Sequence, residues 1–389
     1  MIKTSQLSAL PPSSPALSRH IHIWSAGGDG TVMSVFEMMV QHRIDLDLVF
    51  FSCIPFGTGN DISQVLGWGR TTPHRDTLGP HLRRFEALVL ERLDKSKAAR
   101  LDIWQVTMTS HASGHVQRQG PHQRNDGHNV MEVQERPAEK QHWMQRKMCS
   151  YVSLGVQGYV GSGFEQHRAG HRWANIWAYT VESAKWLFWR RFPPITSFVS
   201  GIRLAAIGKA KKTRTDAGGE QVPLLVKHPI DLVIQNIPHV WGREVDLWGE
   251  AQSGLESVQG RQPLGPTDPS QWQPQRANDG RLEVMVISNL FSYLKKLANY
   301  RKHVSRIGQF ASPFSIEFWP PDQRPHQAQR SRHERDNVIC LMCDGEFYEM
   351  KDPKAVTFDW CAQIWTLGYH DGEKMGRIVH DEIKHARLN

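Results

Sequence analysis

Twice near its start, the chain runs through an apolar stretch, breaks into glycines and passes straight into a helical pattern. The first break lies in "HIHIWSAGGDGTV", where Gly27, Gly28 and Gly30 surround Asp29 and Thr31. The second lies in "VFFSCIPFGTGNDIS", with Gly57, Thr58, Gly59, Asn60 and Asp61. After Thr31, the apolar set Val32, Val35, Phe36, Met39 and Val40 has helical spacing. "DLDLVFFSCIP" has the unbroken apolar character of a strand buried on both faces. Leu82, Phe85, Val89 and Leu93 predict another helix, and "AARLDIWQVTM" another strand. Strand and helix thus alternate through residues 20–106, which predicts a parallel α/β layer.

Glycine lets backbone N–H groups approach an anion closely, and a helix N-terminus favours negative charge. Asp29 would repel a phosphate directly, but it suits Mg²⁺, a hard cation that takes oxygen ligands. Thr31 can donate its hydroxyl to a phosphate oxygen. Taken alone, the first loop reads equally as a tight turn with a helix cap, and Asn60 or Asp61 as the cap of the next helix. Two such loops, each following a strand, can converge on one polyphosphate at the edge of a parallel sheet. Neither is a P-loop, because no G-K-[ST] follows.

The later half reads differently. Residues 109–147 are polar, rich in His and Gln and without periodicity, which predicts an insertion. "RWANIWAYTVESAKWLFWRR" has helical spacing, and a basic stretch with Lys209, Lys211 and Lys212 follows it. "IDLVIQN", "RLEVMVIS", "PFSIEFW", "NVICLMC" and "AVTFDW" are strand-like, with a Gln/Pro/Gly/Ser loop at 251–277 between them. "NLFSYLKKLANYRKHV" predicts a helix. The expected architecture is an α/β nucleotide-binding domain with a parallel sheet at 20–108, then a β-rich, sandwich-like accessory domain at 148–362. Residues 1–19 read as a disordered tail and 363–389 as a C-terminal tail.

With 389 residues and 39% hydrophobic content, two packed domains are within reach. A formal charge of +8 favours anionic partners without choosing among them. The five cysteines are odd in number and widely spaced, against a disulfide framework. Cys340 and Cys343 form a lone C-x-x-C without a second pair at zinc spacing.

Together, "GGDGTV" and "IPFGTGNDISQVLGWG" resemble the catalytic domain of the diacylglycerol kinases. The resemblance continues in order through "ARLDIWQV", "YVSLGVQGYVGSGFEQHR", "DLVIQNIPHVWGREVDLWG", "NDGRLEVMVIS", "SRIGQFASPFSIEF" and "CDGEFYEMKDPKAVTF". The accessory blocks favour diacylglycerol over sphingoid substrates. Three departures stand out. The family's N-P-x-S-G-like phosphate loop has no match in the 26 residues before Gly27, so the catalytic domain is expected to be short at its N-terminal end. Gln157 stands where the family usually has an acid. No cysteine-rich lipid-binding module accompanies the match.

The resemblance implies an ATP-dependent lipid kinase that phosphorylates the free hydroxyl of diacylglycerol to phosphatidic acid, with ATP and Mg²⁺ as cofactors. Gly27, Gly28, Gly30 and Thr31 would hold phosphates, Gly57, Thr58, Gly59 and Asn60 would form the second loop, and Asp29 and Asp61 would organise the metal. A carboxylate should take the proton of the acceptor alcohol. Asp344 and Glu346 are the candidates, Glu346 preferred by family likeness, although "DG" also makes hairpin turns. The "DGE" starting at Asp371 reads as surface. Asp29→Ala is expected to abolish transfer without unfolding the chain.

The expected partner is diacylglycerol or a related lipid at a membrane surface, with anionic lipid as a further contact and no nucleic acid. The aromatic helix with Trp173, Trp177, Trp186, Phe188 and Trp189 suits either core packing or a lipid interface. The expected location is cytoplasmic with peripheral membrane association. Two other readings remain at this stage: a ceramide or sphingoid-base kinase, and a catalytically inactive lipid-binding protein.

Overall fold

The computed structural model describes residues 21–57, 60–72, 83–120, 139–167, 172–188, 192–204, 221–222, 229–240, 243–244, 247–250, 252–253, 265–289, 291–292, 304–324, 337–371, 374–375 and 378. The first part is the expected alternation. Strand β1 (Ile21–Gly27) leads into helix α1 (Asp29–Gln41), and β2 (Val49–Pro55) into α2 (Asp61–Val65). Helix α3 (Arg83–Asp94) precedes β3 (Ser96–Arg118). β1 and β2 run parallel, Ile21 opposite Val49 through Gly27 opposite Pro55. α1 buries Val32, Met33, Phe36 and Met39 against this layer, a single stripe at helical spacing.

The rest is strand-rich. β4 (Trp143–Met148) and β5 (Tyr151–Gly155) lead to α4 (Val156–Gln166) and α5 (Arg172–Phe188). Then come β6 (Val199–Leu204), β7 (Gln221–Val222), β8 (Asp231–Gln235), and the small pair β9 (His239–Val240) and β10 (Arg243–Glu244). After α6 (Leu247–Glu250) the order is β11 (Gln252–Ser253), β12 (Arg281–Ile287), β13 (Val304–Ala311), β14 (Phe314–Phe318), β15 (Val338–Cys343), β16 (Glu346–Asp371) and β17 (Lys374–Met375).

Two long strands organise everything. β3 pairs antiparallel with β16 from Ser96 opposite Tyr369 to Arg118 opposite Tyr348. On its other edge β16 changes partner: β15 beside Glu346–Lys351, β14 beside Ala355–Phe358, then β2, in parallel, at Trp365 and Thr366. The β3–β16 register shifts at Lys351/Pro353, Pro353/Ala355 and Trp360/Ala362, where extra residues re-aim the strand. β15 continues the sheet through β5, β8, β12 and β13.

Three expected boundaries move. β3 runs past residue 108 to Arg118, so the insertion begins later, and β4 closes it from Trp143. Residues 107–118 alternate buried and half-buried positions with polar residues outward, and that outer face hid the strand. The C-terminal tail does not begin at 363, because β16 holds residues 363–371 against β3. The loop expected at 251–277 carries strand β11 at Gln252–Ser253 and a packed wall at 265–277. There Trp272 Nε1 donates to Pro266 O, and Trp248 Nε1 to Gln273 O.

Other expectations meet the structure piecemeal. In α5, Trp186 is buried and stacks on Phe192 with centroids 5.0 Å apart, whereas Trp177 is 71% exposed. The side chains of Trp173, Phe188 and Trp189, and the stretch with Lys209, Lys211 and Lys212, lie outside the described residues. So does most of the helix expected after Asn289. Cys340 and Cys343 are three apart on a strand and therefore face opposite sides of it. No helix among the described residues is long and apolar enough to cross a membrane.

Candidate functional site

The parallel pairing of β1 and β2 brings the two glycine loops into contact. Phe56 N donates to Gly27 O at 3.2 Å, so the chains leave the sheet side by side. A Cβ on Gly57 would sit 2.4 Å from Gly28 Cα, which excludes any side chain there. A Cβ on Gly27 would sit 2.3 Å from Thr31 Oγ1. Gly30 differs, because nothing lies within 4 Å of where its Cβ would be. Gly57 is therefore a glycine for packing against Gly28, Gly27 is crowded by the Thr31 side chain, and Gly30 opens onto space. Gly57→Ala is expected to lower the melting temperature sharply. Gly30→Ala should leave it unchanged or raise it, since alanine in a helix is worth about 1 kcal/mol over glycine. Thermal melts of the two variants check this.

Asp29 spans the two loops. It opens α1, yet its carboxylate reaches α2, where Oδ2 accepts from Asp61 N at 2.9 Å and Oδ1 from Ile62 N at 3.0 Å. The acid of the first loop thus caps the helix of the second. Asn60 shapes that second turn, with a left-handed φ of 59°. Its Oδ1 accepts from Gly57 N, and its Nδ2 donates to Gly57 O and Arg70 O. Asp61 is buried beside it, and Thr31 is exposed at the start of α1. Thr58 and Gly59 lie outside the described residues.

The distant "DGE" arrives at the same place. Asp344 and Gly345 are the two-residue turn between β15 and β16, both with positive φ (45° and 82°), as primed hairpin turns require. The turn reading and the site reading therefore coexist. Asp344 is buried and collects three backbone amides: Cys149 N at 2.7 Å to Oδ2, Ser150 N at 3.0 Å and Tyr151 N at 2.9 Å to Oδ1. Burial raises its pKa from 3.8 to about 7 against those amides, and the Asp29 charge adds to the rise. Burial likewise lifts Asp29 itself, while the Ile62 and Asp61 amides pull the other way. The Tyr151 hydroxyl is pushed well up, by burial first, with the charges of Asp61, Asp29 and Asp344 contributing. Asp29 and Asp344 therefore interact electrostatically, and both, with Asp61, act on the Tyr151 hydroxyl. Among the described residues no three His, Cys, Asp or Glu side chains are already arranged to hold a metal.

Glu346 stands one step outward and is half-buried. Its Oε1 is 2.7 Å from Arg118 Nη2, its Oε2 accepts from the Tyr348 hydroxyl, and Arg146 Nε lies 3.7 Å away. Asp371 is exposed at the far end of β16, as expected of a surface acid, and Glu373 lies outside the described residues.

Several site residues escaped sequence reasoning. Asn236 is fully buried and donates to the carbonyls of Asp102 and Cys149, while Trp104 Nε1 donates to its Oδ1. Asn236 thereby ties the amides that hold Asp344 to the β3 core. Asp102, also buried, accepts from Gly280 N, Trp360 Nε1 and Gln363 Nε2. Gln157 faces Asp231, with Nε2 3.3 Å from Oδ2. An amide there avoids setting two buried carboxylates against each other.

Comparison with known proteins gives two matching family models. The diacylglycerol kinase catalytic domain matches residues 15–103, and the diacylglycerol kinase accessory domain residues 147–320. Among individual relatives, diacylglycerol kinase 5 of Arabidopsis thaliana is 24% identical over 75% of this chain and 55% of its own length. Diacylglycerol kinase theta of Mus musculus is 24% identical over 68% of this chain and 23% of its own. The chain thus spans about half, or less, of the length of these relatives. A crystal structure of a proposed diacylglycerol kinase from Bacillus anthracis aligns at 11% identity and a TM-score of 0.38, over 90% of this chain and 78% of that one.

Proposed function

The chain belongs to the diacylglycerol kinase family, and from that premise we propose that it transfers the γ-phosphate of ATP to the free hydroxyl of diacylglycerol, giving phosphatidic acid. One observation carries this reading: the two glycine loops touch at Gly28 and Gly57, with Asp29 reaching across them to α2. Phosphoryl transfer asks a protein mainly for positioning and charge neutralisation, and this junction offers bare backbone beside carboxylates.

ATP and Mg²⁺ are the cofactors the reading requires, and the residues fit them. Space stands open at Gly30, and Thr31 is exposed beside it. Each Asp29 oxygen accepts one amide, so each keeps a lone pair. Gly27, Gly28, Gly30 and Thr31 would hold phosphate oxygens, with Gly57 and Asn60 shaping the opposite wall. Thr58 and Gly59 complete that loop in this reading. Asp29 and Asp61 would hold Mg²⁺ or its waters. Bound Mg²⁺ supplies neutralisation of the phosphate charge.

On the acceptor side, the proton must go to a carboxylate that substrate can reach. Asp344 is buried and its oxygens are taken by amides, so it sets the position of the Cys149–Tyr151 backbone. Glu346 is the more accessible acid, and Arg118 and the Tyr348 hydroxyl fix its carboxylate. It would act as the base. Glu346→Gln is expected to lower kcat about 10²–10⁴-fold, with the KM for ATP and the melting temperature nearly unchanged. Steady-state kinetics beside a thermal melt check both.

The acceptor is a membrane lipid, so the enzyme would work peripherally at a membrane on the cytoplasmic side, with anionic lipid assisting. The test is transfer of labelled γ-phosphate from Mg-ATP to diacylglycerol, ceramide and sphingosine offered separately in mixed micelles. Label on diacylglycerol alone supports the reading. Label on ceramide or sphingosine alone replaces it with a sphingolipid kinase. No label from folded protein favours an inactive lipid-binding role, a reading that draws on one observation: both Asp29 oxygens already serve α2.

A further inference from the structure

Starting beside the acid group at Tyr151, one face of the sheet carries a run of buried polar side chains. Tyr151 on β5 lies opposite Gln235 on β8, Gln235 opposite Glu283 on β12, and Glu283 opposite Gln309 on β13. Directly opposed residues on antiparallel strands share a face, so these four form a row. Three strand spacings separate its ends, roughly 14 Å. All four are nearly or wholly buried. Gln309 Nε2 donates to Glu283 Oε1 at 3.0 Å.

Polar atoms buried on such a row should find partners, and most do. Gln235 Oε1 has no hydrogen-bond partner among the described residues, and Gln275 lies close enough to Glu283 for its amide to stabilise the carboxylate. Gln275 is 3% exposed and Glu283 fully buried. The row ends at a cavity of about 480 Å³, lined by Pro266, Gln271, Trp272, Gln273, Arg281 and Gln309, among others. That volume is in the range of small-molecule sites. Its wall is built firmly: Arg306 lies over Trp272 at 4.9 Å and over Trp248 at 5.3 Å, and Trp272 Nε1 is anchored on Pro266 O.

The lining names the ligand chemistry. It combines one large aromatic, three planar amides and a single cation, with no carboxylate. Amides both donate and accept, which suits vicinal hydroxyls, and an indole face packs against C–H surfaces. One exposed arginine is a poor phosphate trap, and here it is opposed by Asp279, whose charge interacts with Arg281. We propose that this cavity, with Gln309 as the buried end of its lining, binds a neutral polyhydroxylated group of the sugar or cyclitol class. The group belongs either to a free polyol or to a lipid headgroup.

Calorimetric titration of the full chain with free myo-inositol and glucose tests the first source. Flotation with phosphatidylcholine vesicles, with and without a galactosyl lipid, tests the second. Neither readout involves ATP or diacylglycerol, so failure here is separate from failure of the kinase reading. Saturable binding in either arm is expected, weakened about tenfold or more by Gln309→Leu, because the Gln309 amide holds both Gln273 N and Gln273 O in the lining. Gln271→Ala and Arg281→Ala, both exposed at the rim, should weaken it about threefold or more, and they decide the matter should Gln309→Leu fail to fold. Response to the free polyol assigns a soluble ligand, and response only to galactosyl vesicles assigns a headgroup. The proposal is overturned by no saturable binding in either arm from folded protein. It is equally overturned by binding indifferent to these variants, or by a site that takes inorganic phosphate and no polyol.

Discussion

Asp29→Ala should abolish phosphate transfer and, in the same protein, lower the folding free energy by about 1–3 kcal/mol. The second half departs from what the residue's place in a loop suggests, namely loss of activity with stability intact. Asp29 is the acceptor for the first two amides of α2. Removing it orphans both donors and uncouples the second glycine loop from the first. Asp29→Asn separates the roles, because it keeps one oxygen for an amide while losing the charge. It should recover much of the melting temperature and none of the activity. Near-normal transfer by Asp29→Asn would mean that the cap is the whole of the residue's job.

Asp344 should give the other large effect. Asp344→Ala removes the acceptor of the Cys149, Ser150 and Tyr151 amides at once. At about 1 kcal/mol or more for each buried donor left unpaired, the expected loss is about 3 kcal/mol or more, read from denaturant unfolding. Its titration gives a second, independent check. Its folded pKa, about 7, lies above the ordinary 3.8. Between those values the folded chain binds more protons than the unfolded one, so stability falls as pH rises from about 4 to about 7 and levels off above. The swing from this one group is on the order of 4 kcal/mol at most. Carbon-detected NMR of the carboxyl should show a midpoint near 7 that moves down in Asp29→Asn, since the Asp29 charge helps raise it. A midpoint near 4, or one indifferent to Asp29, would rule out that interaction.

The parts of this fold legible from sequence are those whose pattern is local. β2 announces itself by seven consecutive buried residues, and α1 by an apolar stripe. The glycine loops are visible because glycine, hydroxyl and acid recur together before each helix. What stayed hidden depends on partners far along the chain. Asp29 finds its amides 32 and 33 residues away, and Asp344 about 195 away. No spacing rule reaches so far. β3 beyond residue 108 looked like loop because its outward face is polar, whereas β16 beyond 362 reads as tail although Ile364, Trp365 and Leu367 keep it apolar. Only the ladder between them reveals both as one ribbon. The row of Gln235, Glu283 and Gln309 was hidden because each sits in a different, largely apolar strand until register sets them side by side.

That ribbon also decides when the protein can exist at all during its synthesis. β3 ends at Arg118, and its partner does not begin until Glu346. At roughly 5–20 residues per second, a ribosome would need on the order of 10–50 seconds to supply the second strand. Throughout that interval the first layer lacks β16, the strand that joins β2 and β3, and apolar residues such as Phe50, Leu101 and Ile103 await their cover. Pairings this distant in sequence close slowly even when both halves are present. The nascent chain therefore spends its longest exposed period with the two glycine loops already synthesised and their seam still missing.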